Sequence, residues 1–341
     1  MRAKKIRLRI FSKATTVPGQ GVGAAYLEQL NLIRRSKRIK ILKPQEANPD
    51  LVHIHTINFR YWLAMLFIGI PKVVYVHFLP STLASSLKLP KVIFGILKWY
   101  LKIFYKTASR LVVVNPIFIE PLVKMGVKRE RITFIPNYVD EKNFLMKDSV
   151  THLKATLNFK RFTVLGVGQV QHRKGVIDFV EVAKKLPNID FVWAGGFSFK
   201  SITAGYKELK EVMDNPPSNV RFLGIVPREK MNELYHACDV FFLPSFDELM
   251  PMSVLEAAVC NKPILLRDLE LYQPVFFNHY LSAHNVDGFV KIIKQLSEDK
   301  ILYQQSLANP AWLKNYYRKE AILKLWENYY QEVIDQHGKT H

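Results

Sequence analysis

Residues 240–258, VFFLPSFDELMPMSVLEAA, decide the fold of this 341-residue chain. An apolar run predicts a buried strand, Pro-Ser marks a turn, and the apolar spacing after Pro251 predicts a helix. Glu248 lies in the turn and Glu256 lies inside the helix. Ligands of open parallel sheets bind beyond the carboxyl ends of the strands. The turn is therefore a candidate site, in which two carboxylates can address two parts of one polyhydroxylated ligand.

Strand and helix patterns alternate through the rest of the chain, which predicts an α/β protein with two doubly wound, Rossmann-like domains. We assign residues 1–150 to the first domain and 151–310 to the second, with a linker at 148–159. A final amphipathic stretch, 311–335, is expected to pack back onto the first domain. The predicted strands are 5–11, 51–55, 72–77, 110–115, 132–135, 162–166, 190–193, 220–223, 240–243 and 263–266.

The net charge of +20 is concentrated in the first half of the chain. Residues 1–150 carry 26 lysines and arginines against 8 acidic residues, and residues 51–119 contain no acid at all. This distribution predicts that the first domain faces an anionic partner.

A helix that begins near Pro90 carries half of the basic residues of that span. Its lysines fall on one narrow face, and the other faces are apolar and aromatic, which is typical of a helix lying in a membrane interface. A core helix with one solvated face is the alternative. Nucleic acid is excluded as the partner because no recognition motif accompanies the basic face. The predicted membrane-binding residues are Lys88, Lys91, Lys98, Trp99, Lys102 and Lys106.

Two glycine-bearing turns follow strands and precede helices, a context that favours phosphate binding. The first contains Gly21 and Gly23, although a generic strand-to-helix turn explains it equally well. The second contains Gly168 together with Arg173 and Lys174, whose charges can neutralise a departing diphosphate.

These segments resemble motifs of the family 4 glycosyltransferases, which have the GT-B fold. Residues 245–256 resemble the E-x7-E element of that family, 168–175 its G-R-L-x-x-x-K-G loop, and 136–140 its P-N-G-V-D segment. The resemblance implies two Rossmann-like domains that face each other across a cleft. Details at 169–175, 193–197 and 266–272 look like a Gram-positive branch that extends glucosyl-diacylglycerol and so makes the diglycosyl anchor of lipoteichoic acid.

Carried over by position, the resemblance implies catalytic roles for His77, Glu248, Arg173 and Lys174. Glu256 is expected on the ribose hydroxyls, Glu248 on the transferred sugar and Lys174 on the diphosphate, with His77 near the reaction centre. The implied donor-binding residues are Gly21, Gly23, Gly168, Gln169, Arg173, Lys174, Gly224, Ile225, Val226, Glu248, Met250 and Glu256.

The chain departs from the family pattern at three positions. Gln169 replaces an arginine, so Arg173 is expected to carry that charge, and Leu249 and Tyr138 replace glycines. The implied reaction retains the anomeric configuration and needs neither a metal nor a cofactor, because protein cations stabilise the leaving diphosphate.

The expected substrates are UDP-galactose, or UDP-glucose, and a lipid acceptor such as glucosyl-diacylglycerol. We expect a cytoplasmic protein, bound to anionic lipids on the inner face of the membrane. His53 and His55 are interpreted as structural rather than as metal ligands, and Cys238 and Cys260 as core residues. Two alternatives stay open: a transferase of this fold that acts on a soluble or polyprenyl-linked glycan, and a non-catalytic partner that binds nucleotide sugars.

Overall fold

The computed structural model describes residues 5–16, 21–80, 82, 90–198 and 203–339. Two parallel sheets, each six-stranded within these residues, form its centre, in the orders β2-β1-β3-β4-β5-β6 and β12-β11-β10-β7-β8-β9. The first sheet comprises β1 Ile6–Phe11, β2 Ile39–Ile41, β3 Leu51–Ile54, β4 Lys72–Val76, β5 Arg110–Val113 and β6 Ile132–Phe134. The second comprises β7 Thr163–Val167, β8 Asp190–Ala194, β9 Val220–Phe222, β10 Val240–Leu243, β11 Ile264–Arg267 and β12 Leu281–Ala283.

Helices connect the strands and cover the sheets, which confirms the predicted α/β, doubly wound architecture. In the first half of the chain they are α1 Gly21–Arg34, α2 Phe59–Phe67, α3 Lys91–Thr107, α4 Ile119–Lys124 and α5 Val150–Thr156. In the second half they are α6 Val176–Lys185, α7 Tyr206–Asp214, α8 Arg228–Ala237, α9 Met252–Val259, α10 Gln273–Phe276, α11 Val286–Glu298, α12 Lys300–Ser306, α13 Ala308–Tyr316 and α14 Lys319–Gly338.

Three helices begin directly after a proline. Pro90, Pro227 and Pro251 are the N-cap residues of α3, α8 and α9. Proline has no backbone N–H, and near the first turn of a helix that N–H would have no intrahelical acceptor. The prolines therefore fix where these helices start, and α3 begins where the sequence predicts.

The segment predicted as the linker, 148–159, is mostly helical. Helix α5 occupies most of it, and the Ser149 hydroxyl accepts a hydrogen bond from the backbone N–H of His152 at 3.2 Å. Leu153 and Phe159 are buried in the core of the second sheet. The segment is too short for helical periodicity to show in the sequence, although its serine cap is visible.

The final amphipathic stretch is interrupted at Tyr317 and Arg318, between α13 and α14. Helix α14 crosses to the first domain, where the side chain of Tyr330 lies 2.6 Å from Nδ1 of His53. His337 lies 3.0 Å from the carbonyl oxygen of Gly69. The end of the chain thus packs against the sheet with which the chain begins.

Candidate active site

A cleft of about 510 Å³ lies between the two domains and is lined by both. Turns after strands of the two sheets line it, as expected where carboxyl ends of parallel strands meet, together with residues of helices α1, α8 and α9. Every predicted catalytic and donor-binding residue except Gly224 lines it. These residues are Gly21, Gly23, His77, Gly168, Gln169, Arg173, Lys174, Ile225, Val226, Glu248, Met250 and Glu256.

Gly224 adjoins the cleft without lining it. Its backbone has φ +67°, and its carbonyl oxygen accepts a hydrogen bond from the N–H of Gly195 at 2.8 Å. Gly195 does line the cleft, next to the 168–175 loop. A role for the Gly224 backbone in donor binding stays a prediction.

Lys174 and Glu248 form a buried ion pair at the floor of the cleft. The Ser245 hydroxyl donates a further hydrogen bond to the same carboxylate oxygen at 2.8 Å. The pair is possible because Gly175 turns the chain with φ +70°, and a Cβ at that position would lie 2.2 Å from the carbonyl oxygen of Pro244. Glycine therefore brings the basic loop of the second domain against the turn that carries Glu248.

Arg173 adds a second positive charge beside this carboxylate. Its Nη1 lies 3.9 Å from Oε2 of Glu248 and donates to the backbone oxygen of Asp247 at 3.1 Å. Burial alone would raise the pKa of Glu248, but the charges of Lys174 and Arg173 outweigh it and hold that pKa below its usual range. Glu248 is therefore ionised at neutral pH, and two cations face the same part of the cleft.

Glu256 lies in the wall of the cleft formed by α9. The Tyr235 hydroxyl donates to its Oε2 at 2.8 Å, and Arg228 lies 3.8 Å from its Oε1. Burial raises the pKa of this carboxyl, against the opposing effects of Arg228 and Tyr235. A buried carboxylate with a fixed orientation is a suitable acceptor for a pair of vicinal hydroxyls.

His77 follows β4 and reaches the cleft from the first domain. Its Nε2 lies 3.4 Å from Nδ1 of His55, and the His55 ring stacks on that of His53 with centroids 4.5 Å apart. Burial lowers the pKa of both His77 and His53 to about 3, so these rings are neutral at physiological pH. Among the described residues no group of His, Cys, Asp or Glu could hold a metal ion.

Two asparagines that the sequence did not single out as site residues join the domains at this point. Asn115, fully buried after β5, donates to the carbonyl oxygens of Leu249 at 2.9 Å and Leu271 at 2.7 Å. Asn137 donates to the carbonyl oxygen of Met250 at 2.9 Å. The first domain thus holds the backbone of the turn that follows Glu248. In the sequence, Asn115 could have been identified as a site residue from its polar side chain at the end of a buried strand.

The two positions where family glycines are replaced need no glycine. Within the described residues, positive φ at a non-glycine residue occurs at Asn48, Asn158, Asn261, Phe277 and Asn278. Neither Leu249 nor Tyr138 is in that group, so their side chains cause no backbone strain.

The basic helix α3 combines a buried side with an exposed apolar side. Leu101, Phe104 and Tyr105 pack into the first domain, whereas Trp99 is 63% exposed. The predicted lysines of α3 are all exposed, and Lys88 lies outside the described residues. No helix in the described part of the chain has the length and apolarity needed to cross a bilayer.

Helix α2 packs beside α3 and extends its exposed apolar surface. Phe67, at the end of α2, is 86% exposed, which is unusual for a phenylalanine. We call the combined surface the α2–α3 patch. Its exposed apolar members are Phe59, Leu63, Leu66, Phe67, Val92, Ile93, Ile96 and Trp99.

Two family models match this chain. The model described as Glycosyltransferase Family 4 matches residues 9–143, and the model described as Glycosyl transferases group 1 matches residues 151–310.

Named relatives and solved structures agree with these matches. An alpha-galactosylglucosyldiacylglycerol synthase of Streptococcus pneumoniae is 41% identical over 97% of this chain and 91% of that protein. A processive diacylglycerol alpha-glucosyltransferase of Acholeplasma laidlawii is 26% identical over 84% of this chain and 87% of its own length. The crystal structure of Anabaena HepE with UDP and glucose superposes with a TM-score of 0.76 at 14% identity, covering 96% of this chain and 99% of that one.

Proposed function

The chain belongs to the family 4 glycosyltransferases, and on that premise we propose that it transfers galactose from UDP-galactose to glucosyl-diacylglycerol. The product would serve as the glycolipid anchor of lipoteichoic acid. One observation carries the proposal: Lys174, Glu248 and Glu256 converge in one cleft of a chain that is 41% identical to a protein named for such a product. UDP-glucose is the alternative donor, since the two sugars differ at one hydroxyl.

We place the donor in the cleft in one direction. Lys174 and Arg173 face the diphosphate, Glu248 the hydroxyls of the sugar, and Glu256 the ribose. Ile225, which is partly exposed, borders the cleft where the base would lie. Phosphate is best recognised by charge-assisted hydrogen bonds. The 168–175 loop supplies two cations, Arg173 and Lys174, at the same part of the cleft.

In the proposed reaction the configuration at the anomeric carbon is retained. The acceptor hydroxyl oxygen bonds to the anomeric carbon on the face from which the diphosphate departs. The bond from that carbon to the β-phosphate oxygen breaks, and the same oxygen takes the hydroxyl proton. Lys174 and Arg173 stabilise the negative charge that develops on the UDP, so the proposal requires no metal ion. Neutral His77 can hydrogen-bond the donor sugar without adding a charge.

The lipid acceptor requires that the protein work at a membrane surface. The α2–α3 patch offers apolar side chains next to lysines, which is the composition of a surface that rests in the interface of an anionic bilayer. We place the protein on the inner face of the cell membrane, peripherally bound through this patch.

Thin-layer chromatography tests the proposal directly. The purified protein is incubated with vesicles of glucosyl-diacylglycerol and anionic phospholipid and with radiolabelled UDP-galactose or UDP-glucose, each with and without EDTA. We expect a slower-migrating glycolipid with UDP-galactose, undiminished by EDTA. Glu256→Ala should abolish it, whereas Glu298→Ala, which changes an exposed glutamate of the same domain, should not.

Each other outcome changes a specific part of the proposal. A labelled glycolipid with UDP-glucose alone would change the donor, and loss of product with EDTA would overturn metal independence. No lipid product with either donor would overturn the glycolipid acceptor and point to a polyprenyl-linked or soluble glycan.

A further inference from the structure

A buried carboxylate in the first domain lies within reach of the donor site without lining it. Glu28, in α1, is only 1% exposed. Its Oε2 accepts from the backbone N–H of Asp140 at 3.0 Å, and its Oε1 accepts from the Asn143 side chain at 3.1 Å. Asp140 and Asn143 belong to the segment that leads from the first domain to the second. Glu28 thus ties α1 to the crossing between domains.

Arg228 connects this carboxylate to the second domain. It is the first residue of α8, and its guanidinium hydrogen-bonds Oε1 of Glu28 through Nη2. The other terminal nitrogen, Nη1, lies 3.8 Å from Oε1 of Glu256. Arg228 also lines the cleft next to Val226. One cation is therefore shared between a carboxylate of the first domain and the carboxylate assigned to the ribose.

The shared guanidinium compensates two buried negative charges. Two buried carboxylates are costly to keep ionised, and a single guanidinium with a planar fork can serve both at once. Tyr235 hydrogen-bonds one carboxylate oxygen of Glu256, and the positive charge of Arg228 faces the other. Glu28 holds the second terminal nitrogen of Arg228 from the first domain.

We propose that Arg228 is a positioning residue for the donor nucleotide, anchored by Glu28, which presents Glu256 to the ribose hydroxyls of a nucleoside diphosphate. The inference rests on the proposed function, in which the donor is a UDP-sugar and Glu256 binds its ribose. It adds that nucleotide affinity depends on a contact between the domains, made by Glu28 and Arg228, which are 200 positions apart in the sequence.

The test measures UDP binding by calorimetry and the KM values for donor and acceptor separately. In Arg228→Met we expect UDP affinity to fall by about tenfold, with a matching rise in the donor KM and little change in the acceptor KM. Glu28→Gln should lower UDP affinity by a smaller factor. Arg228→Lys should bind UDP more tightly than Arg228→Met, because it keeps the positive charge. The double variant Glu28→Gln/Arg228→Met should bind UDP no more weakly than Arg228→Met alone, because both substitutions break the same contact.

Lys230→Met is the matched control, since Lys230 lies on the same helix and is exposed. Its UDP affinity should equal that of the wild type. Melting temperatures separate a folding defect from a binding defect, and Arg228→Lys keeps the charge if Arg228→Met unfolds. UDP affinity of folded Arg228→Met within about twofold of wild type would overturn the inference, as would additive effects of the two single changes. Failure of wild-type protein to bind UDP would instead contradict the proposed function.

Discussion

Acidification should destabilise the fold through the buried histidines. His53 and His77 lie in a stack with His55 between them, enclosed by Tyr75 and Trp326. Burial lowers the pKa of His53 and of His77 to about 3, compared with the ordinary value of 6.5. The unfolded chain therefore binds protons at these rings at pH values where the folded chain does not.

The sign and size of the effect follow from this difference in protonation. A group whose pKa is lowered by folding contributes its full stability above its unfolded pKa and loses it as the pH falls toward the folded pKa. Between roughly pH 7.5 and roughly pH 5.5 the unfolded state gains most of one proton per ring, which lowers the free energy of unfolding by about 1.4 kcal/mol per histidine. His53 and His77 together give about 2.8 kcal/mol by the same relation.

Denaturant unfolding at the two pH values, followed by tryptophan fluorescence, measures this loss. His53→Phe keeps a ring in the stack and removes one titrating group. Its pH-dependent loss should be about 1.4 kcal/mol smaller than that of the wild type, whatever its absolute stability. His152→Phe, which changes an exposed histidine, should leave the loss unchanged. An equal loss in His53→Phe and wild type would refute the reasoning.

Two further predictions concern catalysis and the membrane. Lys174→Met should lower kcat by about 100-fold, because the departing diphosphate loses a buried cation. Lys184→Met, which changes an exposed lysine of α6, should leave kcat unchanged. An unchanged rate of Lys174→Met in single-turnover assays would remove Lys174 from the mechanism. Trp99→Ser should weaken binding to anionic vesicles by about tenfold in a sedimentation assay, because its large apolar surface no longer enters the interface. Ile301→Ser is the control, because Ile301 is an exposed apolar residue in the second half of the chain, away from the α2–α3 patch. Equal vesicle binding by the two variants would contradict a role for the patch.

The sequence was sufficient for the central strands of each sheet and for one edge strand of each, β6 and β9, but not for the strand at the opposite edge. The two unpredicted strands, β2 and β12, each have three residues and occupy the edge of a sheet. An edge strand is only partly covered, so its side chains need not form the apolar run that marks a central strand in this protein. The central strands β7 and β10 show that run, because helices cover both of their faces.

The same distinction applies to the cleft. Residues that follow strands were predictable, because the topology of a parallel sheet places them at one edge. The partners of those residues were not. Asn115 contacts Leu249 across a separation of 134 positions, and no local spacing in the sequence reports such a contact. Arg228 was missed for this reason, although Val226, two residues earlier, was assigned to the donor site.

The contacts between domains converge on the segment that carries Glu248 and Glu256, so the two domains must act together when the enzyme binds its two substrates. Asn115 and Asn137 hold the backbone after Glu248, and Arg228 faces Glu256 from the junction with α1. A ligand shifts a conformational equilibrium only by its differential affinity for the two states. A donor that binds both carboxylates would gain affinity only in the state where these contacts exist. The domain that carries the α2–α3 patch would then contribute to donor binding through these contacts between domains as well as through its own cleft residues, so membrane docking and donor affinity should be measured together.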